Sequence, residues 1–215
     1  NMGLNPIRNE GGSTIYLQII EGQLRQKVKE GTPNAESRVN KKGDTVWELV
    51  HGSLTGSIQS VDVRYNDVLS QNELIIILTD VGEVFKITLP LVSDFAQNFI
   101  DRLPNIPTGT VYMRPYCFED KERKDKEGKP KLVKGISVHA DSEKGQKIER
   151  FFTKDNILDK PQWKDGMSKK ELAVWKIDTE EFYANTAKKY GAKFLNPKSE
   201  SASKIAVKDD DDLPF

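Results

Sequence analysis

Cysteine is nearly absent: Cys117 is the only one in 215 residues. A single cysteine excludes an internal disulfide and a cysteine-built zinc site, and points to a reducing compartment. Histidine is almost as scarce. His51 and His139 lie far apart and lack metal-ligand spacing, so no metal site is expected. Long apolar runs are missing too. The longest aliphatic stretch, "LIIIL" at 74–78, is far too short to span a bilayer. The early segment "MGLNPIRNEGG" lacks the apolar core of a secretory signal, so a cytoplasmic protein without membrane association is expected. No phosphate-binding glycine loop or nucleophile elbow occurs, and Cys117 falls among the apolar positions of its strand. Neither catalytic residues nor a cofactor are expected.

Net charge is also missing, but only in sum. The 33 basic and 33 acidic residues cancel. Setting aside Asp209, Asp210, Asp211 and Asp212 leaves 33 cations against 29 carboxylates, a formal +4 on the rest. Segregated charge of this kind lets an acidic tail and an anionic ligand favour the same surface.

What is present is mostly strand pattern. "STIYLQIIE" alternates Ile15, Leu17 and Ile19 with Tyr16, Gln18 and Ile20. "QLRQKVKE" follows Gly22 and puts Arg25, Lys27 and Lys29 on one side. Residues 30–44 read as a polar loop. "TVWELVHGSLTGSIQSVDVRYND" reads as a broken strand pair, with Gly52 and Gly56 marking a bend or bulge. "ELIIILTDVGEVFKITL" predicts a hairpin turning at Asp80–Gly82. "SDFAQNFIDRL" predicts a short helix capped by Ser93. A second hairpin pairs "GTVYMRPYCF" with "KLVKGISVHAD" across the charged loop "EDKERKDKEGKP". "QKIERFF" is a further strand candidate. From "SKKEL" at Ser168 onward the chain reads as helical; Asp178 or Thr179 can cap the stretch through Tyr190, and Gly191 can end it.

Helices do not alternate with strands, which argues against a parallel α/β fold. The expected class is mainly β: an OB-fold-like Greek-key barrel with an interior helix, a C-terminal helix and a flexible acidic tail. The expected organisation is a body at 1–191, a flexible linker at 192–208 and a tail at 209–215. Coil scaling gives the linker a reach of roughly 20–25 Å.

Two constellations in the body carry chemistry. In an extended strand Tyr112, Arg114, Tyr116 and Phe118 share one face. Three aromatics around an arginine can stack bases, each stack contributing about 1–3 kcal/mol with little sequence preference. The alternative is an aromatic face packed under a helix. Lys121, Arg123, Lys124 and Lys126 in the charged connection can contact a phosphate backbone, together with the cleaner basic face of Arg25, Lys27 and Lys29. The alternative is a solvated loop.

The most specific stretch is "DDDDLPF", Asp209 to Phe215. Leu213 and Phe215 suit a small apolar pocket. Pro214 stiffens the peptide, and the terminal carboxylate extends the field of the aspartates. Here the chain resembles the single-stranded DNA-binding proteins of bacteria and phages, which end in an acidic run tipped by Pro-Phe. In size and layout it is more similar to the phage type, with its larger, decorated OB fold. The resemblance implies sequence-independent binding of single-stranded DNA in replication, recombination and repair, without enzymatic activity. It also implies recruitment of partner proteins through Asp209, Asp210, Asp211, Asp212, Leu213, Pro214 and Phe215, with homo-oligomers possible. A phage-encoded chain would act in the host cytoplasm. Two other readings remain open: an accessory adaptor that uses the same tail without binding DNA, and a small nuclease.

Overall fold

The computed structural model describes residues 14–40, 42–124, 128–153, 156 and 160–195. Residues 196–208 of the expected linker, the acidic tail and Lys126 lie outside them, whereas residues 192–195, expected as linker, are helical. Nine strands form one mixed sheet: β1 (Thr14–Ile20), β2 (Gln23–Val28), β3 (Glu36–Val39), β4 (Thr45–His51), β5 (Leu54–Asn66), β6 (Gln71–Asp80), β7 (Glu83–Pro90), β8 (Thr110–Lys124) and β9 (Pro130–Ala140). Their spatial order is β3-β4-β2-β1-β7-β6-β5-β8-β9. Only β1 and β7 pair in parallel; every other ladder is antiparallel. Among the described residues two α-helices, α1 (Asp94–Ile100) and α2 (Lys169–Leu195), complete the fold.

The mainly β class with an interior and a C-terminal helix is as expected. The closed barrel is not: β3 and β9 are the ends of an open sheet. The sheet nevertheless curls strongly. The β1–β2 turn carries Gly22 at φ 77°, and a Cβ there would stand 2.5 Å from the Cys117 backbone nitrogen on β8. Only glycine allows both that conformation and that approach.

Inside the curl, residues on one face of each strand make the core. Leu74, Ile76 and Leu78 of β6 face inward with Ile87 and Leu89 of β7 and Leu17 of β1. On β5 the inward residues are Ile58, then Val61 and Val63. Their parity changes because the ladder shifts register between Ile58 and Ser60. One extra residue at a bulge turns the following side chains to the opposite face, so both halves of β5 reach the same core. Gly56 lies within β5 and Gly52 in the β4–β5 turn, near the expected bend.

Helix α1 forms because Ser93 accepts a hydrogen bond from the Ala96 N–H at 3.2 Å, and because Phe95, Ala96, Phe99 and Ile100 give it a buried side. Its Asn98 Oδ1 accepts from the Ile136 N–H of edge strand β9 at 2.8 Å. The helix thus covers an edge that a closed barrel would pair with another strand.

Four expectations need correction. Residues 36–39 pair with β4 as a strand rather than lying in a loop, since Arg38 and Val39 find ladder partners that only the sheet supplies. "QKIERFF" makes a single bridge from Lys147 to His139; Phe151 and Phe152 instead pack against Phe182 and Tyr190 of α2. Helix α2 covers the helical stretch expected from Ser168, but its cap is Ser168 rather than Asp178 or Thr179. Ser168 Oγ accepts from the Glu171 N–H and Glu171 Oε2 accepts from the Ser168 N–H, a reciprocal cap at 3.3 and 2.8 Å. Gly191 does not end that helix. It lies inside it, buried against the Val61 carbonyl of β5, where a side chain would not fit.

Candidate functional site

The sequence-predicted strand face is built by β8. Val111 and Met113 point into the core, so Tyr112, Arg114, Tyr116 and Phe118 point outward. The β5 ladder ends at Met113, so Pro115 stands where β8 forms a ladder with β9 alone and its missing N–H disrupts little. Outward direction does not make the four residues equivalent. Tyr112 is 8% exposed and lies edge-on to His139, with ring centroids 5.8 Å apart. It is a packed side chain, not an open stacking surface, because His139 is its cross-strand partner. Tyr116 is half-buried. Its ring crosses Gly135 on β9, and its hydroxyl lies 3.5 Å from Asn98 Nδ2. Phe118 is 53% exposed and tilts against Tyr116 at 5.9 Å. Arg114 is exposed, with a loose pairing to Glu143 at 3.8 Å. The open part of this face is therefore Arg114, the Tyr116 edge and Phe118.

Past Phe118 the charged connection is strand rather than loop. β8 runs to Lys124 and β9 starts at Pro130, making a two-stranded arm that carries Lys121, Arg123 and Lys124 in solvent. Arg123 Nε pairs with Asp120 Oδ2 at 2.6 Å, and that bond holds the aspartate's pKa below its ordinary value.

The basic face of β2 is divided. Glu48 on β4 lies directly opposite Lys27, an acid that the linear pattern of β2 did not show. Arg38 grips Glu48 with two bonds of 2.8 Å, and Arg25 Nη1 adds a third at 3.3 Å. The Arg38 bonds hold the Glu48 carboxyl below the usual range despite its burial, and raise the Arg38 guanidinium. Arg25 is thereby engaged within the sheet. Lys27 and Lys29 remain exposed. Tyr16, with Lys86 5.5 Å from its ring centre, adds an exposed aromatic to the same outer face. Strands β6 and β5 lie between this patch and β8 in the sheet order.

A third cluster was not read from the sequence. Between edge strand β9, α1, α2 and the 160–163 segment runs a groove of about 570 Å³. Arg123, Lys131, Lys134 and Arg150 line it with Trp163 and Trp175. Its floor is held by buried polar groups. Asp101 accepts from Lys160 Nζ at 2.8 Å and from the Tyr183 hydroxyl at 3.3 Å. Burial and the adjacent Asp101 carboxylate push the Tyr183 phenol far above its ordinary pKa. Arg102 donates to Asn98 Oδ1 at 2.8 Å and to the Ile148 carbonyl at 3.1 Å, and its burial lowers its pKa. Exposed Trp163 beside Lys164 in "PQWKDG" is the one local signal that could have drawn attention here. The groove itself joins residues from six separate segments.

Comparison with protein-family models, curated proteins and solved structures finds no match for this chain. The family resemblance therefore rests on the seven terminal residues and the general layout. Among the described residues, no helix is long and apolar enough to cross a membrane.

Proposed function

We propose that this protein binds single-stranded DNA without sequence preference, through an OB-like body, and recruits partner proteins through Asp209–Phe215. One observation carries the reading. The outer face of β8 presents Arg114, Tyr116 and Phe118 at successive same-face positions and leads directly into an arm bearing Lys121, Arg123 and Lys124. Stacking faces in line with backbone cations are what an unpaired strand offers contacts to: its bases present π-faces and its phosphates present charge. The chain path supports the OB reading. A three-stranded meander (β5, β6, β7) is followed by a helix and a hairpin (β8, β9), and β5 pairs with both β6 and β8. On that reading the β8–β9 arm occupies the position of the loop between the last two OB strands, one of the two loops such domains use for oligonucleotides.

The test is anisotropy of labelled dT oligomers and of a matching duplex, over a salt series, with the full chain. Tight dT binding is expected, falling with log salt by about 0.7 per phosphate neutralised. Equal affinity for the duplex, or no dependence on salt, would overturn the reading.

A further inference from the structure

The β9 groove is lined by residues other than those of the stacking face of β8, and its composition calls for a ligand. Lys131, Lys134 and Arg150 line it, and none has an ion-pair partner among the described residues. Three unneutralised cations around a concave surface attract an anion. Trp163 is 48% exposed and meets Trp175 edge-on, with centroids 5.3 Å apart. That contact fixes the ring orientation while leaving much of Trp163 open. On the α2 wall, Trp175 Nε1 and Thr179 Oγ1 are buried without a hydrogen-bond partner, and Thr179 is only 8% exposed. Native structures rarely leave such groups unsatisfied, so their position in the groove wall is a separate sign of an absent polar ligand.

The groove also adjoins the stacking face. Val133, which lines it, is the cross-strand partner of Phe118. A strand leaving Phe118 needs to cross only one residue of edge strand β9 to enter. The two carboxylates in the wall, Asp94 and Asp101, do not reverse the field, because Asp101 is neutralised by Lys160.

We propose that this groove is a nucleotide subsite of the single-stranded DNA path, in which Trp163 stacks one base and Lys131, Lys134 and Arg150 hold its flanking phosphates. The subsite rests on the single-stranded DNA reading above and assigns the strand a course over the edge of the sheet rather than along β8 alone. Lys131 and Lys134 contribute charge; Trp163 contributes the stacking.

The experiment uses the full chain carrying Trp47→Phe, so that emission comes from Trp163 and Trp175. Labelled dT oligomers are titrated while anisotropy and tryptophan emission are recorded together. Trp163→Ala should weaken binding about ten- to a hundredfold, the loss of one stack, and remove most of the quenching. Trp163→Phe should keep the affinity within a few fold while losing that quenching. Lys131→Gln with Lys134→Gln should make the salt slope shallower by about 1.4, two phosphates' worth. If the parent binds dT but Trp163→Ala binds equally well, the strand bypasses the groove and the subsite is overturned while the function stands. Should Trp163→Ala lose its fold by circular dichroism, the lysine pair decides, and an unchanged slope overturns the subsite. A parent that shows no anisotropy change with dT overturns both readings.

Discussion

Tyr112 and Phe118 sit three turns of the same alternation apart on one strand face, yet their surroundings assign them different work. Tyr112 is packed against His139 and nearly closed to solvent; Phe118 is half open. Removing a buried ring leaves a cavity, so Tyr112→Ala should lower stability by about 3 kcal/mol in urea unfolding. Phe118→Ala should leave the urea midpoint almost unchanged and weaken dT binding by about 1–3 kcal/mol. Equal effects of the two substitutions on folding would mean that Phe118 is part of the core. Glu48 supports a second expectation. Its folded pKa is depressed by Arg38 first, with Arg25 adding to it. A depressed carboxylate contributes stability that is present above the unfolded value of about 4.3 and is lost as pH falls through the lower folded value. Glu48→Gln should therefore cost about 1–3 kcal/mol at pH 7, from two arginines left without their carboxylate partner, and progressively less below pH 4. A cost that stays constant down to pH 2 would assign the loss to packing instead.

At the scale of elements, α2 shows a conflict between local preference and tertiary contact. Alanine is favoured over glycine inside a helix by about 1 kcal/mol. At position 191 the added methyl would overlap the Val61 carbonyl oxygen, and Val61 is held in the sheet by its pairing with Ile76 of β6. Neither backbone can give way easily, so overpacking wins. Gly191→Ala should destabilise the protein by about 1–3 kcal/mol net of the propensity gain, read as a lower urea midpoint. A raised midpoint would show that α2 can slide away from β5. The β8–β9 arm makes the opposite case. Its ladder extends past the core, so its residues are free to carry charge rather than packing.

For the whole molecule, the dominant feature is the opposition between a cationic body and four terminal aspartates. A tethered tetra-anion competes with DNA for cationic surface at high effective concentration. Deleting Asp209–Phe215 should strengthen dT binding most at low salt, and the gain should shrink as screening increases. Phe215→Ala should leave that competition intact, since the aspartates remain, while weakening capture of partner proteins. The measurement is dT affinity of the wild type and both variants across a salt series. No gain on deletion at low salt would leave the tail only its proposed recruiting role.

Periodicity alone was enough to place most strands and α1. Alternation along β1, β6 and β7 and the Ser93 cap are local properties, decided within a few residues. The charge asymmetry and the tail's composition were equally legible, because they need no folding to exist. Three things required the tertiary structure. The sheet stays open because α1, through Asn98, occupies the β9 edge, and no linear pattern states which element covers an edge. Arg25 meets Glu48 only when β2 and β4 align, so a basic face in one strand became an internal ion pair. The groove of Lys131, Lys134, Arg150, Trp163 and Trp175 exists only where β9, the 150s, the 160s and α2 converge. Local rules set the conformation of each segment, whereas long-range packing sets which side chains meet, and binding surfaces are made of such meetings.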